Sequence, residues 1–182
     1  ALPLPSWADG NAGVAIIGMS CFLPGSPGLK EYWERILDKD IAIREVPSDR
    51  WDASVYFDAD PSAKDRVYAK RGGFLDDILF DPLRYGMPPN SLSSVEPLHL
   101  MALEAVRHAL RDAGYEEKEF SRETTSVIIG TGGGIGELGQ SYVVRSALPE
   151  FFEGADDVSK DLPEWTEDSF PGILMNVLAG RI

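Results

Sequence analysis

The stretch from Ser93 to Gly114, SSVEPLHLMALEAVRHALRDAG, constrains the fold more than any other part of the chain. Apolar or small side chains recur at Leu98, Ala102, Leu103, Val106, Ala109, Leu110 and Ala113. That spacing places them on one face of a 3.6-residue helix. Ser94 stands where an N-cap belongs, Pro97 suits a first turn in which its missing N–H is not needed, and Gly114 sits where a left-handed residue closes a helix. Alanines on the inner face let such a helix lie close to a neighbour, and the sequence points to a sheet. Val14–Gly18 (VAIIG) precedes the helix and Val127–Gly130 (VIIG) follows it. Both are short, β-branched and end in glycine, the pattern of strands buried on both faces, and helix-linked strands of this kind are usually parallel.

The other segments take their places around this frame. Residues 1–12 read as linker and residues 19–25 as a turn. Leu29–Leu37 reads as a short amphipathic helix with Leu29, Tyr32, Trp33, Ile36 and Leu37 on one face. Residues 40–92 are irregular but carry Trp51, Tyr56, Phe57, Tyr68, Phe74 and Phe80. A connection of that length is expected to be functional or well packed, and the aromatics favour an ordered excursion with a small hairpin near Tyr68–Phe74. A glycine-rich turn follows the second strand, then a helix from about Glu137 to Leu148, an acidic irregular stretch Pro149–Glu167, and a last helix from Ser169 to Ile182. The chain starts with Ala, and the apolar run Leu174–Ile182 stops without a cap. The sequence is therefore expected to belong to a longer polypeptide.

Composition narrows the function classes. Hydrophobic residues make up 43% of the 182, enough for a sizeable core. Thirty acidic side chains against 17 basic ones leave a net charge of −13, which argues against broad binding to nucleic acid or an anionic membrane and leaves room only for a local basic patch. The one such cluster is Arg66, Lys70 and Arg71, which reads more readily as a solvated loop than as a docking patch. No apolar run approaches the roughly 20 residues that span a bilayer. The single cysteine excludes an internal disulfide, and a cytoplasmic setting is expected.

No catalytic constellation emerges from the residues alone. Gly134, Gly136 and Gly139 match G-x-G-x-x-G, which in a dinucleotide site lets a pyrophosphate approach a helix N-terminus. Here the match starts four residues past Gly130, and an acidic loop rather than a strand follows the helix, so the context test is not met. The alternatives are a turn passing tightly under another segment, or a wall of an acyl pocket with Ile135 as its side chain. Cys21 has no histidine near it in sequence and reads as a small hydrophobe. His99 and His108 lie nine residues apart on the long helix and so point in different directions, which rules out one shared metal site made by the pair. No G-x-S-x-G elbow is present.

Taken in order, the segments resemble the N-terminal half of a β-ketoacyl synthase (ketosynthase) domain of a type I polyketide synthase. VAIIGMSCFLPG at 14–25 looks like the family's opening strand and turn. YWERILDKDIAIREVPSDRWD at 32–52 ends in its V-P-x-x-R-W-D signature, and RGGFLDD at 71–77 with Phe80-Asp81 matches another of its motifs. EPLHLMALEAVRHALRDAGY at 96–115 stands where the family usually has D-P-Q-Q-R-x-x-L-E and a helix ending in D-A-G, and SFPGILMNVLAGRI at 169–182 looks like the segment before the nucleophile strand. EPLHLMALE, GMPPNSLSSVEP and the long GTGGGIGELG turn depart from modular synthases and look more like the iterative ketosynthases of polyunsaturated fatty acid and enediyne synthases.

The resemblance implies an α/β fold of thiolase-like layered type, with this chain as the N-terminal half of an α-β-α-β-α architecture in which residues 13–182 are an incomplete ketosynthase domain. It implies acyl transfer to a cysteine followed by decarboxylative condensation with malonyl on a carrier protein. It also places the nucleophile and both catalytic histidines beyond Ile182. Cys21, His99 and His108 match none of them, so the resemblance gives this chain no catalytic residue and no metal ligand, and the polypeptide alone is expected to be inactive. Gly134, Ile135 and Gly136 match a region lining the acyl chain, with Met175 and Asn176 near it. No cofactor is expected to bind directly; phosphopantetheine arrives on an acyl carrier protein. A homodimer, the other domains of a multidomain synthase, and no nucleic acid or membrane partner complete the expectation. Two alternatives stay open: a non-catalytic partner similar to a chain-length factor, and a nucleotide-binding α/β domain.

Overall fold

A computed structural model describes residues 13–132, 134–154 and 159–182. The linker expected at 1–12, and Asp156 and Asp157 of the acidic stretch, lie outside the described residues. The elements, in order, are helix α1 (Leu29–Asp38), strand β1 (Ile43–Glu45), helix α2 (Ala53–Tyr56), strand β2 (Arg71–Gly73), and helices α3 (Pro97–Asp112), α4 (Glu137–Phe151), α5 (Ser169–Ile173) and α6 (Met175–Arg181). Short 3-10 turns run over Pro82–Tyr85, Pro89–Ser94 and Arg122–Thr124. No helix among the described residues is long and apolar enough to cross a membrane.

The long helix forms as expected from Pro97, which occupies its first turn, to Asp112. Gly114 follows with φ 75, in the left-handed conformation that suits glycine. Its start differs from expectation. Ser94 closes the preceding 3-10 turn, and the N-cap position is held by Glu96, whose side chain does not bond back to its own helix. The alanine stripe does what its small side chains allow. Gly18 packs so tightly against the helix that a Cβ there would lie 2.7 Å from the Ala113 Cβ and 2.9 Å from the Ala113 nitrogen. Ser20 Oγ donates to the Ala105 carbonyl at 2.7 Å, and the Met19 amide donates to Asp112 Oδ2 at 2.9 Å.

The neighbour that lies along α3 is therefore an extended segment and not a formed sheet, which corrects the expected strands at 14–18 and 127–130. Val14 is 95% exposed and Ile128 is 90% exposed. β-Branched runs favour extended backbone, but a strand exists only through ladder bonds to a neighbour, and among the described residues no ladder forms with either run. The only sheet described is the antiparallel pair β1–β2, with Ile43 opposite Gly73, Arg44 opposite Gly72 and Glu45 opposite Arg71. The hairpin expected near Tyr68–Phe74 is thus half of a long-range pairing, and residues 46–70 form the excursion between its arms. The excursion is pinned by the Phe57–Val67 bridge and by edge-to-face contact of Trp51 with Tyr56.

Two further boundaries move. Helix α4 runs on through Pro149 to Phe151 instead of ending at Leu148. The last helix is broken at Leu174, whose extended backbone separates α5 from α6. The core lies where α3 meets α6 and where α5 meets the Pro89–Ser94 turn: among the described residues Val95, Leu103, Tyr142 and Leu178 are the buried apolar side chains.

Candidate functional site

The glycine-rich turn is organised by a carboxylate from another element. The first N–H groups of a helix have no intrahelical acceptor. At the start of α4 they find Glu96, the residue before Pro97 of α3. The Glu137 amide donates to Glu96 Oε1 at 3.0 Å and the Leu138 amide to Glu96 Oε2 at 3.2 Å. A negative group at a helix N-terminus is also favoured by the helix dipole. Glu96 is only 5% exposed. Gly136 lies directly over this carboxylate; a Cβ at 136 would come 2.6 Å from Oε2 and nearer still to Cδ and Oε1. The turn therefore passes under another segment, which is one of the sequence readings of the glycines. The helix N-terminus that a pyrophosphate would use is already taken by the protein's own carboxylate, which removes the physical basis of the dinucleotide reading.

The same residue reaches the C-terminal segment through its backbone. The Glu96 amide donates to the Gly172 carbonyl at 2.9 Å. Of the expected pocket residues, Ile135 and the approach to Met175 converge on Gly139, where a Cβ would meet the Ile135 Cβ at 3.2 Å and the Ile173 Cβ at 3.7 Å. Ile135 keeps 49% of its surface exposed, Met175 is half-buried, and Asn176 is exposed. Gly134 has φ +111 with open space where a side chain would stand. Ile135 and Ile173 thus meet at Gly139, Met175 follows two residues after Ile173, and Asn176 stands at the surface.

A chain of hydroxyls holds the arrangement from behind. Ser169 Oγ donates to Tyr142 Oη at 2.8 Å and accepts from the Thr166 amide at 2.9 Å, while Ser94 Oγ and Thr166 Oγ1 share a bond of 2.9 Å. The Tyr142 ring stacks on Trp165 with centroids 4.3 Å apart. Buried hydroxyls are costly unless paired, and here each has a partner.

The groups weighed as catalytic are placed differently. Cys21 is half-buried, and burial followed by the charge of Glu31 pushes its thiol up, away from the thiolate form a nucleophile needs. His99 is fully buried where α3 packs on α6, and neither ring nitrogen has a hydrogen-bond partner. Burial and then the Arg181 cation hold its pKa below the usual imidazole range; the Leu174 backbone lies near enough to pull the other way without reaching hydrogen-bonding geometry. His108 faces the other way, 5.3 Å from the Phe22 ring, and its pKa is lowered by burial and then by Arg111 and Arg107. Among the described residues no group of three or more His, Cys, Asp or Glu side chains could hold a metal ion.

Sequence reading misses two buried acids. One is Glu96, whose only signal is an acid directly before a helix-starting proline. The other is Glu104, 4% exposed, which accepts from Tyr85 Oη at 2.9 Å and from Arg107 Nε and Nη2 at 3.0 and 2.8 Å. Arg107 also reaches Glu116 at 2.7 Å. Burial, then the Glu104 carboxylate, pushes the Tyr85 hydroxyl up to about 12. These residues tie α3 to the Pro82–Tyr85 turn and lie apart from the glycine turn. In the basic cluster, Lys70 pairs with Glu45 at 3.3 Å, whereas Arg71 donates to the Ile43 carbonyl and Arg66 to the Asp65 carbonyl, each at 3.1 Å, so neither arginine has an acidic partner described.

The profile of the family described as "Beta-ketoacyl synthase, N-terminal domain" matches residues 11–182, and the chain belongs to that family. Across 181 residues it is 33% identical to one of the polyunsaturated fatty acid synthase subunits of a Thraustochytrium species, an alignment covering 92% of this chain and 6% of that protein. It is 37% identical over 118 residues to polyketide synthase PksL of Bacillus subtilis, covering 64% of this chain and 3% of the relative. The chain therefore spans a small fraction of the length of these relatives. Among solved structures it is similar to an oxazolomycin ketosynthase domain of Streptomyces albus (35% identity, TM-score 0.52, 54% of this chain and 18% of that one). It is also similar to a variant of the module 6 ketosynthase of the Bacillus subtilis bacillaene synthase (40% identity, TM-score 0.51, 55% and 17%). Ketosynthase domains have the thiolase-like fold, so the α/β fold class read from the sequence stands although its sheet layers are not formed among the described residues.

Proposed function

We propose that residues 13–182 are the N-terminal part of a ketosynthase domain that extends acyl chains by decarboxylative Claisen condensation. An acyl group passes from the phosphopantetheine thiol of a carrier protein to a cysteine located beyond Ile182, and the carrier thiol leaves. Malonyl on a carrier protein then loses CO₂. The electron pair of the broken C–C bond attacks the cysteine thioester, the cysteine thiolate departs, and a β-ketoacyl carrier protein results. Covalent catalysis with charge stabilised at the thioester oxygen fits this division of labour. Residues 13–182 supply no reacting group, and the chain alone is inactive. What it supplies is pocket wall: Gly134, Ile135 and Gly136 on one side, and Met175 with Asn176 on the other.

One observation carries the wall assignment. Ile135 and Ile173 close on Gly139 from two elements, with Ile135 still half open. A small residue flanked by two branched apolar side chains is a surface suited to an alkyl chain. The partners are an acyl carrier protein, a second ketosynthase copy and the other domains of a multidomain cytoplasmic synthase. With the chain at −13, carrier docking needs a local basic patch, for which Arg66, Lys70 and Arg71 are the candidates. The test is Ile135→Trp in the complete ketosynthase, with acyl-cysteine formation read by intact mass across acyl thioesters of increasing length. The variant is expected to stop accepting long chains while still accepting acetyl. An unchanged length profile removes Ile135 from the pocket.

A further inference from the structure

We propose that Glu96 is a positioning residue that sets the spacing of both walls of the acyl pocket, and that its side-chain length is a determinant of which acyl chains are accepted. The inference rests on the pocket reading above and goes beyond it by naming the group that fixes the walls. Three connections meet at this one residue. Its two carboxylate oxygens accept from the Glu137 and Leu138 amides, which anchors the first turn of α4 and with it the 134–136 turn immediately before. Its amide donates to the Gly172 carbonyl, which anchors α5, one residue ahead of Ile173 and three ahead of Met175. Its own backbone continues into Pro97, the first residue of α3.

Nothing in this junction has slack. Gly136 lies against the carboxyl group and Gly172 against the Ser94 carbonyl, and a Cβ added at either would come closer to them than real Cβ atoms come to other atoms. A carboxylate that is buried and held at both oxygens cannot swing aside as an exposed glutamate would. The distance between α3 and the glycine turn is therefore the length of the Glu96 side chain, and one methylene less draws the turn toward α3 or leaves the α4 amides without acceptors. Ile135 adjoins Gly136, and its carbonyl is held by Gln140 Nε2 at 3.3 Å, so it moves with the turn.

The experiment uses the complete ketosynthase with Glu96→Asp, Glu96→Gln, Gly136→Ala and the Glu96→Asp/Gly136→Ala pair. Two quantities are read: hydrogen exchange at the Glu137 and Leu138 amides, and the ratio of kcat/KM for a long against a short acyl thioester. Glu96→Asp is expected to raise exchange at both amides roughly tenfold, the equivalent of one hydrogen bond of ordinary net strength, and to move the ratio. Gly136→Ala is expected to move the ratio as well. The pair is expected to recover part of the loss, because the shorter acid makes room for the new methyl. A purely structural role gives no such recovery, and additive or worse behaviour of the pair overturns the proposal. Unchanged exchange in both Glu96 variants also overturns it. A ratio that responds to Ile135→Trp but not to Glu96→Asp defeats Glu96 as a length determinant while leaving the pocket in place. A ratio constant in every variant defeats the pocket reading itself.

Discussion

Gly172→Ala tests the packing around the clamp with the least ambiguity. A methyl at 172 would meet three backbone atoms of one neighbouring stretch of chain: the Ser94 carbonyl oxygen at a forbidden distance, the Ser94 carbonyl carbon at 2.8 Å and the Val95 Cα at 3.1 Å. Backbone yields less readily than a side-chain tip, so either α5 or residues 94–95 must retreat. That retreat stretches the bond from the Glu96 amide to the Gly172 carbonyl. Overpacking of a filled interior costs about 1–3 kcal/mol and a lost hydrogen bond about 1 kcal/mol more. The sum, roughly 3 kcal/mol, corresponds to a fall in Tm of about 6–12 °C for a unit of this size. Gly180→Ala is the internal control. It lies in α6 with nothing within 4 Å of the new methyl, and there alanine is expected to stabilise the helix by about 0.5–1 kcal/mol. Urea denaturation of both variants gives the comparison. A Gly172→Ala loss below about 1 kcal/mol, or an effect equal to that of Gly180→Ala, refutes the close approach of α5 to residues 94–95.

Two further outcomes follow from the titratable and hydrogen-bonded groups. His99 is buried without a partner, and its neutral form is favoured by burial and by Arg181; the 3-10 turn before α3 and helix α5 carry no titratable side chain, and Glu96, the N-cap of α3, is engaged at α4. The unfolded chain takes up a proton near pH 6.5 while the folded one resists it. Stability is therefore full above pH 6.5 and is lost as pH falls toward the lower folded value. His99→Gln is expected to flatten this acid limb in urea titrations between about pH 5 and 7, and an unchanged limb contradicts the burial of a neutral imidazole. Tyr85→Phe keeps the stacking on Phe80 (4.9 Å) but removes a donor from buried Glu104. A loss of about 1–2 kcal/mol is expected by denaturation, and no loss contradicts the Tyr85–Glu104 bond.

Much of the helical framework is legible because its signals are local. The periodicity of 97–112, the proline at its start, the glycine at 114 and the alanines at 109 and 113 that receive Gly18 all lie in one window. The strands are not legible in that way. Val14–Gly18 and Val127–Gly130 have strand composition, but pairing depends on a neighbour that composition does not name, and the one pair that forms joins residues 43–45 to 71–73. Polar burial is the other failure. A face chosen by hydrophobicity passes over His99 and Glu104, which are buried because α6 packs on α3 and the Tyr85–Arg107 network closes over Glu104. Glu96 is not legible as a clamp because the amides that donate to it lie 41 and 42 residues onward. The candidate wall at 134–136 and 175–176 is read from resemblance, and geometry adds the approach of Ile135 and Ile173 to Gly139.

The most direct test of the central claim is acyl loading and turnover of the full polypeptide that carries this sequence. Purified protein is incubated with an acyl thioester and its intact mass is recorded, and ¹⁴C-labelled malonyl carrier protein is then added and CO₂ release followed. The account predicts one acyl adduct, on a cysteine outside residues 1–182, and release of CO₂ with formation of a β-ketoacyl carrier protein. Failure of the protein to take up an acyl group, or an adduct on Cys21, contradicts it.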